Sequence, residues 1–391
     1  MPVMTLNTEA LAHNARKTAE YADRWGVSLL PVLKAVGSHP AALAVLREEG
    51  FARFGFAEAD EPRFFGRMDG ERPERVLIQL TPPSQAAKTA ELFGRSCQTE
   101  PEVLQALDSA VKAAGLPGHE VLLMVDLGDG REGLPESEVA AVLDFAKGLT
   151  HVGVVGFGTT MCCLSDNRPP GDFSERLLAL WDMFAEKGIT EPTVSIGGSY
   201  FCGWLDENPV RPVTELRLGD PFILGEDIYR EKALPGGPFR QDVCGLRVEV
   251  VELKTRWIAD DDENGFGHAS GQLVPPVRRR GLRRRALVNM GRFHVGLDSP
   301  VNLRKGNPRH ISLPCDLPGA EIAGLTAGYL VLDVTDCPGP VKIGQKVTFW
   351  PGYWGLSQAF RNPAVKILAD EARRPSSVVD EPAAGENPAR G

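Results

Sequence analysis

A lysine closes an apolar run early in the chain, Leu30-Pro31-Val32-Leu33-Lys34. An amine delivered to a strand rim by such a run is desolvated, which favours its neutral form, and that form condenses with an aldehyde. On position alone, a lysine that snorkels out to solvent is an equal alternative. Farther on, Asp126-Leu127-Gly128-Asp129-Gly130-Arg131-Glu132-Gly133 sets an arginine among glycines that permit close backbone approach to a ligand. Its guanidinium suits an anionic or phenolate oxygen. In Ser195-Ile196-Gly197-Gly198-Ser199, successive N–H groups of a tight turn suit a phosphate. In Glu215-Leu216-Arg217-Leu218 an arginine interrupts an apolar strand, and if it points inward it needs a partner. An amine for an aldehyde, a guanidinium for O3′, a turn for a phosphate and a second guanidinium for a ring nitrogen are together what pyridoxal 5′-phosphate (PLP) requires.

These residues must be positioned by a repeating scaffold. Short β-branched runs at 29–34, 51–56, 75–80, 95–98, 121–127, 152–158, 193–197 and 215–224 alternate with amphipathic helices, two of which show apolar faces at Val139, Val142, Leu143 and Ala146 and at Leu177, Leu180, Trp181 and Phe184. Alternation of this kind gives parallel strands with right-handed crossovers, and eight units are the number that closes a (β/α)₈ barrel, whose active site lies at the C-terminal rim. The fold class expected is therefore α/β, a PLP-binding barrel over 8–235 followed by an antiparallel β-domain over 236–370, which the N-terminal strand 1–7 joins. In that second part helical periodicity gives way to alternating runs at 246–253, 286–290, 329–334 and 346–350, separated by Gly and Pro. An acidic, glycine-bearing stretch covers 259–271. The arginines Arg278, Arg279, Arg280, Arg283, Arg284 and Arg285 read as a solvated loop or strand edge. Residues 371–391 read as a disordered tail.

The net charge of −9 argues against a nucleic-acid or anionic-membrane partner, and a small-molecule amino acid substrate fits better. With no apolar run long enough to cross a bilayer and no leader-like start, a cytoplasmic enzyme is expected. The seven cysteines include no C-x-x-C pair and are read as reduced thiols, with no metal site.

The order of these motifs resembles the alanine racemase superfamily, the barrel class of PLP enzymes, and within it the alanine/ornithine racemase group. Leu11-x-His13-Asn14, Lys34-Ala35 with His39, Asp126-x-Gly128-x-x-Arg131-x-Gly133, Gly156-x-Gly158-Thr159 with Cys163, Gly197-Gly198-Ser199, Glu215-Leu216-Arg217-x-Gly219 with Leu224-Gly225, and in the second domain 286–292 with Leu332-Asp333 all carry the likeness. The resemblance implies a PLP-dependent isomerase, an amino acid racemase with Lys34 as PLP lysine and as the acid–base group on one face of the substrate. It implies Arg131, Thr160, Gly197, Gly198, Ser199 and Arg217 as further cofactor contacts, and a homodimer whose partner's β-domain closes each site. The sequence also departs from the family. Gly291-Arg292-Phe293-His294 stands where alanine racemases carry a catalytic tyrosine, Thr160 stands where they stack a histidine on the ring, and no tyrosine lies between Lys34 and His39. The second acid–base group is then one of Cys163, His294 and Tyr353, and alanine itself is in doubt as the substrate. Alternatives are another PLP enzyme of this fold, such as a decarboxylase or an amino-acid lyase or dehydratase, and a non-catalytic PLP carrier. An arginine rather than an acid at the ring nitrogen favours racemisation over decarboxylation.

Overall fold

A computed structural model describes residues 1–59, 74–164, 168–208, 210–229, 232–233, 239–258, 280–295 and 316–369. The acidic stretch at 259–271, Arg278, Arg279, Cys315 and the tail at 371–391 lie outside the described residues. The chain opens with strand β1 (Val3–Leu6) and helix α1 (Thr8–Trp25). Asn7 starts that helix by accepting from the Ala10 N–H at 3.0 Å, and Gly26 ends it in the left-handed conformation.

Eight parallel strands follow, β2 (Ser28–Pro31), β3 (Arg53–Phe56), β4 (Glu74–Leu77), β5 (Arg95–Gln98), β6 (His119–Met124), β7 (Val152–Thr160), β8 (Thr193–Gly197) and β9 (Glu215–Leu218). They pair in the order β2-β9-β8-β7-β6-β5-β4-β3, and a parallel bridge between Val32 and Gly55 joins the two ends. This is the expected barrel. Around it lie α2 (Pro40–Glu48), α3 (Ala86–Leu92), α4 (Pro101–Ala113), α5 (Glu136–Ala146), α6 (Phe173–Glu186), α7 (Phe201–Glu207) and the short α8 (Asp220–Ile223). The apolar faces anticipated for α5 and α6 are buried except for Trp181, which is half-buried. Phe157 of β7 meets Phe184 of α6 with ring centroids 5.0 Å apart, so beyond the register shift before Gly156 the strand turns Phe157 and Thr159 to the helices and Gly158 and Thr160 to the barrel interior.

Two strand boundaries are corrected. The first strand ends at Pro31 rather than at residue 34, and Lys34 opens a 3₁₀ turn, Lys34–Val36, closed by left-handed Gly37 and Ser38. The last strand stops at Leu218 rather than at 224, because Pro221 in the first turn of α8 suits a helix start and not a strand interior.

The second sheet is built on β12 (Cys244–Ile258), which pairs antiparallel with β1, β13 (Gly281–Val288) and β16 (Lys346–Phe349). β14 (Glu321–Leu325) and β15 (Leu330–Asp333) extend it beyond β13, and β17 (Lys366–Ala369) adds to β1 in parallel, so the sheet is mostly but not wholly antiparallel. A two-residue ladder of β10 (Glu226–Asp227) and β11 (Lys232–Ala233) lies before it. The sequence also hid a helix here, α9 (Tyr353–Arg361). Arg280 is exposed ahead of β13, as a solvated loop residue would be, but the second half of the arginine run is not a loose edge. Arg283–Arg285 belong to β13, flanked by β12 and β15, where Arg283 donates to Asp333 at 2.8 Å and to Asp336 at 3.1 Å.

A buried histidine makes the barrel acid-sensitive. His119 of β6 donates Nδ1–H to the Phe93 carbonyl at 3.1 Å, so its Nε2 accepts from Ser96 Oγ at 2.7 Å. Desolvation pushes its pKa down to about 4 from the ordinary histidine value of about 6.5. The neutral ring is therefore favoured by folding. Its stabilisation is complete above pH 6.5 and is lost as pH falls towards 4, costing about 2 kcal/mol between pH 7 and 5. Thermal unfolding of wild type should lose correspondingly more between those pH values than a His119→Asn variant, and parallel losses in the two proteins would remove His119 as the cause.

Candidate active site

The candidate residues lie where β2, β6, β7, β8 and β9 end on the C-terminal side of the barrel. Lys34 is half-buried there, with its backbone carbonyl accepting from Arg361 Nη1 of α9 at 2.8 Å and its Nζ 5.8 Å from the centroid of the Tyr353 ring. Helix α9 of the second domain is thus packed on the lysine turn of the same chain, with Phe360 edge-on to His39 at 5.9 Å. Tyr353 belongs to the lysine's own subunit.

The loop after β6 doubles back sharply. Asp126 N–H donates to Leu134 O, and Leu134 N–H donates to Met124 O. Gly133 has φ +132°, and a Cβ there would come within 2.2 Å of the Asp126 nitrogen, so only glycine fits. This fold-back fixes Arg131 and Glu132, which pair side by side, Arg131 Nη2 donating to Glu132 Oε1 at 2.5 Å and Nε to Oε2. Desolvation acts to raise the Glu132 carboxyl, but the hydrogen bond and charge of Arg131 outweigh it and bring its pKa below the ordinary value. Asp129, buried, accepts from the N–H groups of Cys163 at 2.9 Å and Leu164 at 3.2 Å, tying the loop after β7 to the loop after β6. Cys163 is solvent-accessible at this junction. Desolvation by the surrounding loops pushes its thiol up, while the nearby Arg131 and Lys34 cations pull the other way.

Arg217 is 5% exposed and points into the barrel from β9. Nη1 donates to Ser195 O and Ser195 Oγ, each at 2.8 Å, and Nη2 to Thr159 O at 2.9 Å and Thr160 Oγ1 at 3.2 Å. All four Nη hydrogens are engaged, which leaves Nε–H as the donor not used by these contacts. Gly197 explains how the guanidinium fits, because a Cβ at that position would lie 2.6 Å from Nη2. The first glycine of the Gly-Gly-Ser turn therefore makes room for an arginine. Ser199 Oγ accepts from Gly219 N–H at 3.3 Å and Asp220 N–H at 3.1 Å, gathering a hydroxyl and two amides, whereas the Gly198 N–H is taken by Arg217 O at 3.3 Å.

The structure thus gathers Lys34, Cys163, Arg131 and Tyr353 around one mouth, with Thr160 and Arg217 beneath it. His294 is held in its own turn, its Nδ1 accepting from Gly291 N–H at 3.1 Å, and no contact described here joins it to Lys34. Four polar residues stood in the quoted motifs without a role assigned to them, namely Asp129, Glu132, Ser195 and Glu215. Glu215 is 1% exposed, accepting from Ser195 Oγ at 2.6 Å and from Arg53 Nη2 at 2.6 Å. Its signal was available: two residues before Arg217 on one strand, it must share Arg217's face. Among the described residues no cluster of His, Cys, Asp and Glu is arranged to hold a metal ion, and no helix is long and apolar enough to cross a membrane.

A barrel whose rim brings a lysine to two arginines is the setting in which family comparison becomes informative, and the chain belongs to the family defined by the alanine racemase N-terminal domain, which matches residues 6–220. Among characterised relatives it is similar to a lysine racemase of Thermotoga maritima, 24% identical over 367 residues that span 93% of this chain and 97% of the relative. It is similar to an ornithine racemase of Acetoanaerobium sticklandii, also 24% identical, over 93% of this chain and 98% of that one. The fold matches that of alanine racemase from Bartonella henselae with covalently bound pyridoxal phosphate, with a TM-score of 0.69 at 14% identity over 94% of this chain and 99% of that one.

Proposed function

We propose that this protein is a PLP-dependent amino acid racemase, with Lys34 as the cofactor lysine and a cationic amino acid, ornithine or lysine, as substrate. A barrel alone does not choose a reaction. The observation that carries the reading is Arg217, a buried guanidinium with all its Nη hydrogens committed and Nε–H available for a ring nitrogen. The donor set fits the rest of the cofactor, with the Ser199 hydroxyl, whose oxygen accepts from the Gly219 and Asp220 amides and whose hydrogen is left to donate, for the phosphate, and Arg131 for the phenolate oxygen. Bound PLP supplies the aldehyde and the electron-withdrawing ring that make an α-proton removable.

The chain's own part is to hold and move that proton. The Lys34 amine takes or returns it on one face. Cys163 is our choice for the other face, because the Asp129 carboxylate fixes its backbone and both Lys34 and Arg131 act on its thiol. Tyr353, beside Lys34 in the same subunit, closes the mouth and supplies a hydroxyl near the cofactor, and His294 is left for a partner subunit's site. The exposed aromatics next to these two residues, Trp354 and Phe293, support the homodimer proposed with it. The cationic substrate class rests on the names of the two relatives.

A panel of L-amino acids assayed for D-product tests the reading. Ornithine and lysine are expected to lead, with no stoichiometric release of CO₂, ammonia or keto acid. Release of any of these in place of D-product would replace racemisation by one of the other reactions. Cys163→Ala should slow α-proton exchange from one enantiomer by about 10²-fold and from the other much less; equal loss from both would remove Cys163 from the role.

A further inference from the structure

Two cofactor-directed arginines in one site raise an electrostatic problem, since cations close together in a desolvated mouth repel and lose their orientation unless an anion lies between them. We propose that Glu132 is the positioning residue for both arginines, directly for Arg131 and through the Thr160 hydroxyl for Arg217. The proposal rests on the racemase reading above for the arginines' targets, though not for the contact itself.

The hydrogen-bond directions leave little choice. Arg217 Nη2 can only donate, so Thr160 Oγ1 accepts from it at 3.2 Å, and the single Thr160 hydrogen goes to Glu132 Oε1 at 3.1 Å. That same Oε1 accepts from Arg131 Nη2. One carboxylate therefore terminates donors from both guanidiniums. On its other side Arg217 meets the same construction, a hydroxyl that accepts from the guanidinium and donates to a carboxylate, in Ser195 and Glu215. Arg217 is bracketed by two hydroxyl-bridged carboxylates.

An ordinary surface pair between sequence neighbours would contribute little. Glu132 differs because its side chain is only 14% exposed, beside an Arg131 that is 40% exposed, and because Gly133 pins the backbone that carries both. Removing its charge should loosen Arg131 and leave Arg217 with a single carboxylate bracket.

The test uses Glu132→Gln, Thr160→Val and Thr160→Ser in the full chain. In protein that takes up PLP on Lys34, the visible absorbance of the bound cofactor is titrated with pH and PLP affinity is measured. Glu132→Gln should move the titration to lower pH by about one unit, since an anion that favours the protonated cofactor–lysine linkage is gone, and should weaken PLP about tenfold. Thr160→Val should weaken PLP about fivefold, and Thr160→Ser, which keeps the hydroxyl, should bind like wild type. A Glu132→Gln protein that titrates like wild type, or a Thr160→Val protein that binds PLP as tightly, overturns the proposal. Should wild type bind no PLP, the racemase reading falls and the contact is judged in the cofactor-free protein. There the double variant Glu132→Gln/Thr160→Val should lose less Tm than the sum of its single variants, and additive losses would overturn the link.

Discussion

Lys34→Ala is expected to leave a folded, colourless protein that makes D-product at least about 10³-fold more slowly than wild type, because the covalent tie to the cofactor and one of the two acid–base groups go together. The fold should survive the change. What Lys34 gives to the architecture is its backbone carbonyl, which accepts from Arg361 at 2.8 Å, and alanine keeps that carbonyl. Borohydride reduction of wild type followed by peptide mapping should place the pyridoxyl group on the peptide containing Lys34. A label on another lysine, or a Lys34→Ala protein that retains the adduct, would defeat the assignment.

Arg217→Glu is the second large effect. A guanidinium at the ring nitrogen disfavours its protonation, since adjacent cations repel, and the cofactor becomes a weaker electron sink. With PLP bound against Arg217, the proton taken from the substrate would return mainly to the α-carbon. A glutamate reverses that bias, so racemisation should fall by about 10²- to 10³-fold and 2-keto acid should appear as a side product. Stability suffers too, because the new carboxylate would face the Thr159 and Ser195 carbonyls with Glu215 one hydroxyl away, at a cost on the order of 3–5 kcal/mol. Arg217→Lys is the companion variant, keeping the charge with three donors in place of four engaged Nη hydrogens. Substituted proteins that hold PLP and racemise like wild type, without keto acid, would show that Arg217 does not touch the ring.

The barrel was legible because its code is local. Apart from Arg95-Ser96-Cys97-Gln98, the eight runs carry their own apolar strand signal, and α5 and α6 between them show their own apolar faces. Boundaries failed where backbone chemistry outweighed side-chain hydrophobicity, at the turn that begins with Lys34 and at Pro221, where a helix replaces the strand's continuation. Helix α9 was missed because nine residues among Gly and Pro give too few turns for a clear period. Arg283 looked solvated because the carboxylates that let it enter a sheet, Asp333 and Asp336, lie about fifty positions away. In the site, motif residues were found and their supports were not. Glu132 reaches Thr160 from a different strand's loop, a pairing that no spacing within either segment announces.

The bond between Arg361 and the Lys34 carbonyl joins residues 327 positions apart. A nascent chain grows at roughly 5–20 residues per second, and domains form largely as they emerge. The strands of the barrel can therefore begin to pair while α9 is still unmade, leaving the lysine turn without its outer support for tens of seconds. Strand β1 waits as well, because its neighbours β12 and β17 both come from the later part of the chain. The setting of Lys34 is thus among the last parts of the molecule to be completed as the chain is made.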